Sequence, residues 1–271
     1  MSTDTMGSAL DDIQVFANSA NVVQVFEALS DGATTNRELS EQTGAARSTV
    51  GRILDKGESR DWIDSEGSRY ELTDLGTVMI EEFRGYLRTI EGIKHLGEDF
   101  QYLPEPAHEL DYRHFLDATI IKPTVTYPSA PFDRMEELIH TADTFPRIIA
   151  RTVTPRHEKA SWDLWRGGKS VSGAVIEASF FETIRSDPAR VGSWHDWAET
   201  GLVWIHEGPL FTVMFSEEVV LIGMGEERED EVYATGVLES ENPAVLSWVE
   251  SLFEEYRAEA EPLTPEMLPE R

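Results

Sequence analysis

Cysteine is absent from the 271 residues, which excludes disulfides, thiolate nucleophiles and every zinc site built on sulfur. No stretch approaches the roughly 18 uncharged apolar residues that a membrane span needs. Met1 to Gly7 is small and polar, without the basic and apolar segments of an export signal, so the cytoplasm is the expected compartment. Lysine is scarce as well: five lysines stand beside eighteen arginines, and these 23 bases face 51 acids for a formal net charge of −28. So large an imbalance is expected of a halophilic protein, because in molar salt the Debye length shrinks to about 3 Å and self-repulsion is screened. Any basic footprint for nucleic acid must therefore be sought locally, not in the total charge.

What is present is the composition of a folded chain. Hydrophobic residues make up 40% and aromatics 10%, too apolar for disorder, and the length suits two domains. Val22, Val23, Val25, Phe26 and Leu29 recur at helical spacing until Ser30-Asp31-Gly32 ends them. Thr35-x-x-Glu38 is a capping box opening a short helix over Asn36 to Gln42, anchored by Leu39 and stopped by Thr43-Gly44. A third helix starts near Ala46, with Val50, Ile53 and Leu54 inward and Arg47, Ser48, Thr49 and Arg52 outward. From Trp62 the period changes to two, and Gly67 marks the tip of a hairpin that ends near Leu72. Thr73-Asp74 then caps a long helix from Leu75 to about His95.

Helix, capped helix, Gly-containing turn, polar-faced helix and hairpin follow one another in the order of a winged helix-turn-helix. In that arrangement the third helix enters the major groove of double-stranded DNA. Arg47 and Arg52 would reach guanine edges or phosphates, and Ser48 and Thr49 would meet backbone or base. Lys56 and Arg60 are candidate phosphate partners, while Ser68 and Arg69 at the hairpin would lie along neighbouring phosphates or the minor groove. The plainer alternative is a three-helix protein-interaction module whose arginines are simply solvated.

Leu103-Pro104-Glu105-Pro106 is the strongest break in the chain, and beyond it the pattern is α/β. Strands are expected at Ala118 to Ile121, Arg147 to Thr152, Ser170 to Ile176, Leu202 to His206, Phe211 to Phe215, Val219 to Met224 and Glu231 to Leu238. Helices are expected at Pro131 to Ala142, Arg156 to Trp165, Phe180 to Ser186, Ser193 to Ala198 and Ala244 to Ala260. The division that follows is an α+β multidomain chain: a winged helix over 10–74, a linker or dimerisation helix over 75–103, an α/β effector domain over 104–263 and a tail over 264–271.

Two motifs fall short of chemistry. His157-x-Lys159 with Asp163 comes one residue short of a phospholipase D HxKx4D signature, whose last position is Leu164 here, and there is a single copy where two histidines are needed. A solvated helix start is the expected account. Gly167-Gly168-Lys169-Ser170 lies between helix and strand, the reverse of the strand-then-helix order of a phosphate loop. His195, Asp196 and His206 match no metal-ligand spacing. No catalytic residue, metal or cofactor is assigned. Arg151 and Glu177 fall at predicted strand ends, where open α/β sheets bind ligands, and Trp165, Trp204 and His206 are candidate walls for a small-molecule effector.

Asp12-Ile13 and Phe16 through Asn21 resemble the lead-in helix of a haloarchaeal group of winged helix-turn-helix regulators with the pattern D-I-x-x-F-x-x-S-x-N-R-V-x-V-L-x-A-L. Ile13, Phe16, Ser19 and Asn21 fit it, and Val22 replaces the basic residue, which implies that one DNA-backbone contact is missing. The segments RTVTPRHEKASWDLWRGG, VIEASFFETIRSD, VWIHEGPLFTVMFSEEVVLIGMGE and ENPAVLSWVESLFEEYRAEAEPL resemble the middle domain of methanogenesis regulatory proteins. That resemblance implies a sensor domain, for which the one-lobed phospholipase D-like folds of archaeal sugar-sensing regulators are one model. The expected whole is a dimeric DNA-binding transcription regulator and not an enzyme. Its alternatives are a hydrolase using the winged helix for assembly, or a regulator whose second domain only oligomerises.

Overall fold

Apolar residues at helical spacing bury one side of each N-terminal helix, and the resulting elements fall where the periodicity puts them. The computed structural model describes residues 3–32, 34–142, 146–168, 172–228 and 231–270. Contacts divide the chain into two compact units, Met1–Ile90 and Glu91–Arg271.

In the first unit the helices are α1 (Thr3–Ala17), α2 (Ala20–Ser30), α3 (Asn36–Thr43) and α4 (Arg47–Glu58), followed by strands β1 (Ile63–Glu66) and β2 (Arg69–Leu72) and by α5 (Asp74–Leu96). Thr35 closes the capping box on α3: its hydroxyl accepts from the Glu38 N–H at 3.2 Å, while the Glu38 carboxylate accepts from the Thr35 N–H at 2.9 Å. Gly44 ends that helix at φ 74°. The hairpin pairs Ile63 with Leu72 and Glu66 with Arg69 around Gly67, whose φ of 68° suits the first position of a two-residue loop. Thr35 bridges Arg69, and the Tyr70 N–H donates to the Thr34 carbonyl at 2.7 Å, so the hairpin is docked on the segment that caps α3.

The core of this unit is aromatic. Phe16 of α1 stands 5.0 Å from Phe26 of α2, 5.3 Å from Trp62 before β1 and 5.0 Å from Phe83 of α5. The backbone of Trp62 is held on both sides, donating to the Gly57 carbonyl at 3.0 Å and accepting from the Thr73 N–H at 3.0 Å. Helix α5 then passes so close that a Cβ on Gly76 would lie 2.0 Å from the Trp62 carbonyl oxygen. Only glycine fits there.

The second unit is an eight-stranded mixed sheet in the order β10-β6-β5-β4-β7-β8-β9-β3. The strands are β3 (Thr119–Ile121), β4 (Arg147–Ala150), β5 (Ala174–Glu177), β6 (Val203–His206), β7 (Val213–Phe215), β8 (Val220–Arg228), β9 (Glu231–Ser240) and β10 (Glu261–Pro262). β4, β5 and β6 are parallel, and the other pairs are antiparallel. Strict alternation feeds two cores. Ile148, Ala150, Ile176, Met214 and Leu221 face helices α6 (Ala130–Thr141), α7 (Pro155–Arg166), α8 (Ala178–Arg185) and α9 (Pro188–Thr200). Ile149, Val175, Val213, Phe215 and Ile222 pack with α10 (Pro243–Glu259) and with Leu103, Ala107 and Phe115. Burial on both faces is why these strands read as continuous apolar runs.

Three expectations need correction. The break at Leu103-Pro104-Glu105-Pro106 is not where the units part. Residues after α5 form 3-10 turns over Gly97–Tyr102, Glu105–Glu109 and Tyr112–Phe115, and Leu96, Leu103, Ala107 and Phe115 are buried in the second unit. The division falls earlier, between Ile90 and Glu91. The tail expected from 264 is not free either: it forms a 3-10 turn over Pro265–Met267, and Leu268 is buried with Leu263. The strand expected from Ser170 begins at Ala174, and Lys169 and Ser170 lie outside the described residues.

Two outcomes follow for the first unit. Phe16→Ala removes the ring shared by three aromatic neighbours and is expected to cost about 3–5 kcal/mol, read as lost hydrogen-exchange protection in α2 and α4. The Thr35 N–H, with help from the Thr35 hydroxyl and Thr34, pulls the Glu38 pKa down to about 2 from an ordinary 4.5. A depressed folded pKa means stability that is fully present above about 4.5 and fades as the pH falls toward about 2. Acid titration of hydrogen-exchange protection in α3 should therefore show a loss across that window in the wild type, and a smaller one in Glu38→Gln.

Candidate nucleic-acid interface and cavity

Helix α4 buries Val50, Ile53, Leu54 and Gly57, which turns the opposite side outward. Gly57 permits this packing, since a Cβ there would lie 2.5 Å from the Ile63 side chain. The outward side carries exposed Ser48, Arg52 and Lys56 at four-residue intervals, flanked by exposed Arg47 and half-buried Thr49. Arg52 is folded back on its own helix, donating to the Ser48 carbonyl and the Thr49 hydroxyl, each at 3.4 Å. Bonds of that length are weak, so the guanidinium is free to extend toward another acceptor. The Asn36 side chain donates to the Arg47 carbonyl at 3.3 Å and ties the start of α4 to α3. Ala46 at the N-cap supplies no side-chain acceptor to the first turn, an arrangement that suits backbone contact with phosphate.

Two of the expected DNA contacts are differently placed. Arg60 is engaged in the packing: it is half-buried, pairs with Asp12 of α1 at 3.2 Å and lies 5.5 Å over the Trp62 ring. Arg69 is exposed beside Ser68, but the hairpin register sets it opposite Glu66, and Asp64 and Glu71 are exposed on the same strands. Opposite charges paired across a hairpin stabilise the hairpin and leave it a weak anion binder. The basic surface is therefore α4 itself.

The second unit holds a cavity of about 730 Å³ beyond the end of β4. Arg151 and Thr152 follow that strand, and Thr154 and His157 open α7 on the same wall. Tyr102, Phe132, Phe211 and Tyr256 supply rings, Leu103, Met135, Leu210 and Met224 supply apolar surface, and Gly223, Gly225 and Gly236 leave bare backbone. Glu105 and Glu226 also border it. His157 is buried, against the expectation of a solvated helix start, with Nε2 2.9 Å from the Phe132 carbonyl. Burial holds its pKa below the ordinary histidine value. Lys159 forms an exposed ion pair with Asp163, one turn away on α7.

The five expected effector residues do not converge. Arg151 alone lines this cavity. Trp204 lines a separate hollow of about 300 Å³ with Arg147, Phe215, Phe253 and Arg257, at the other end of β4. Trp165 packs on Trp162 and Trp197, with ring centres 5.0 and 5.6 Å away. Glu177 precedes α8 and accepts from the Leu210 N–H at 2.9 Å. His206 is buried, its Nδ1 accepting from the Gly208 N–H at 3.0 Å, with Tyr256 edge-on at 5.1 Å. Sequence reasoning missed Tyr102, Phe132, Phe211 and Tyr256, which come from four separate stretches of the chain and share no local pattern.

Residues 10–95 match the family model of the HVO_A0261 N-terminal domain, and residues 128–259 match that of the methanogenesis regulatory protein FilR1, middle domain. Among solved structures the chain is similar to TrmBL2, an archaeal chromatin protein, at 12% identity and a TM-score of 0.38, covering 94% of this chain and 100% of that one. Nuc from Salmonella typhimurium, a phospholipase D family member, aligns at 13% identity and a TM-score of 0.41, covering 55% of this chain and 98% of its own. NucT from Helicobacter pylori gives 10% and 0.42, over 54% and 98%. No curated protein matches the chain. Among the described residues no helix is long and apolar enough to cross a membrane, and no group of three or more His, Asp or Glu is placed to hold a metal ion.

The reassignment of Arg60 is open to measurement. If it is a packing residue, Arg60→Ala and Asp12→Ala each lower the stability of the first unit. The double variant should then be no worse than the sum less a coupling of about 0.2–1 kcal/mol, measured by denaturant unfolding in a double-mutant cycle.

Proposed function

We propose that this protein is a DNA-binding transcription regulator of a halophile's cytoplasm, acting as a homodimer and not as an enzyme, with a second unit that senses a small molecule. The observation that carries the reading is α4: it buries one side in the aromatic core and presents Arg47, Ser48, Arg52 and Lys56 on the other. A recognition helix needs that division, because the apolar side fixes the angle at which the basic side meets the groove. The family matches support it, one to an N-terminal domain and one to the middle domain of a regulatory protein.

Dimerisation is supported by apolar side chains left exposed on the first unit's helices. Met6, Leu10 and Ile13 recur along α1, and Leu75, Val78 and Tyr86 along α5, each 44–57% exposed. A non-enzymatic role is supported by the state of the one motif with catalytic overtones: Lys159 is taken by Asp163, and His157 is engaged with the Phe132 carbonyl.

The test is retardation and footprinting of the chain's own promoter region in molar KCl, where the net charge of −28 is screened. Arg47→Ala and Arg52→Ala are each expected to weaken specific binding by about 1–3 kcal/mol, roughly five- to 150-fold, and the double variant to abolish protection with folding intact by circular dichroism. Unchanged protection by the folded double variant would remove α4 as the reading surface.

A further inference from the structure

We propose that the cavity beyond β4 is the effector site, and that it takes an apolar, aromatic small molecule carrying one carboxylate. The site deepens the regulator reading; it depends on that reading for what binding achieves and not for binding itself.

The volume of about 730 Å³ lies in the range of roughly 300–1,000 Å³ that holds a small organic ligand. Its walls select the chemistry. Tyr102, Phe132, Phe211 and Tyr256 bring four rings to one hollow, and Phe132, at 37% exposure, is one of the few large hydrophobic side chains of this unit that face solvent. Aromatic faces left uncovered in a half-open hollow favour an apolar, planar body.

Among the described residues, the only lysine or arginine on the lining is Arg151. It has an interaction within the protein, and Glu105 and Glu226 border the same lining; a guanidinium carries five donors in a rigid fork, so a ligand carboxylate can share the group with a protein partner. Thr152 and Thr154 stand within three residues of it, so cation and hydroxyls share one wall. A carboxylate fits that wall, because its two oxygens match the fork. Arg151 is half-buried, and pairs out of bulk solvent are screened less than exposed ones, so this contact keeps its strength in molar salt.

Tyr102 and Leu103 lie just beyond α5, after the turn at Gly97–Tyr102, and Leu96 and Leu103 are buried in one core. A ligand resting on Tyr102 touches the segment into which α5 runs.

The full chain in molar KCl is titrated with 8-anilinonaphthalene-1-sulfonate, an aromatic anion whose fluorescence reports apolar binding. It is then competed with indole-3-propionate, its neutral amide and tryptamine. One saturable site is expected, with the propionate displacing the reporter at least tenfold better than the amide or the amine. Arg151→Gln should erase that preference. Ala234→Trp, at an exposed β9 position on the lining, should weaken all binding at least tenfold without disturbing the core. Circular dichroism and thermal melts confirm that both variants fold. Equal displacement by amide or amine, binding indifferent to both substitutions, or no saturable binding would overturn the proposal. Retardation of DNA measured on the same samples separates the two readings: its loss alone would count against the regulator and leave the site standing.

Discussion

The first unit depends on one packing constraint, the seating of Trp62 against Phe16. Phe16 reaches Phe26, Trp62 and Phe83 at ring separations of 5.0 to 5.3 Å, so α1, α2, the start of the hairpin and α5 share a single aromatic centre. The Trp62 backbone then fixes the end of α4 through Gly57 and the start of α5 through Thr73. The orientation of α4 is therefore inherited from its neighbours. Its own sequence has no side-chain N-cap and needs none, because Asn36 and the core already determine where it begins.

Much of this was legible in the chain because the signals are local. A capping box spans three residues, a hairpin loop two, and an amphipathic helix repeats within a turn or so, so Thr35, Glu38, Gly44 and Gly67 announced their roles without knowledge of the fold. What escaped was long-range. Arg60 looks like a phosphate ligand until Asp12, 48 residues earlier, is seen beside it. The prolines near 104 look like a linker, although they frame 3-10 turns that belong to the second core. The rings around the cavity come from the turn after α5, from α6, from the approach to β7 and from α10. No spacing rule connects such residues; only the sheet topology does.

The fate of the arginines qualifies what a basic residue means in so acidic a chain. Arg134 is bidentate to Glu239 at 2.7 Å, Arg147 pairs with Glu250 at 2.8 Å, and Arg190 with Glu158. Several also lie over rings, as Arg147 does over Phe215 at 4.8 Å. A planar, weakly hydrated cation suits both tasks better than an ammonium, which gives a structural reason for a base inventory dominated by arginine. Against that background, exposed Arg47 and Lys56 stand out by their setting and not by their number.

The sheet of the second unit ends in two very short strands. β10 is Glu261–Pro262 and β3 is Thr119–Ile121, the latter followed at once by Lys122 and Pro123. A proline has no N–H to offer a neighbour, and a charged residue beside a three-residue edge discourages further pairing. Where β3 and β10 form the margin, the sheet thus offers little backbone for strand addition, whether from a second copy or from an aggregate growing by edge-to-edge contact. Along those two short strands, lasting association falls to side chains on neighbouring helices and turns and not to the backbone.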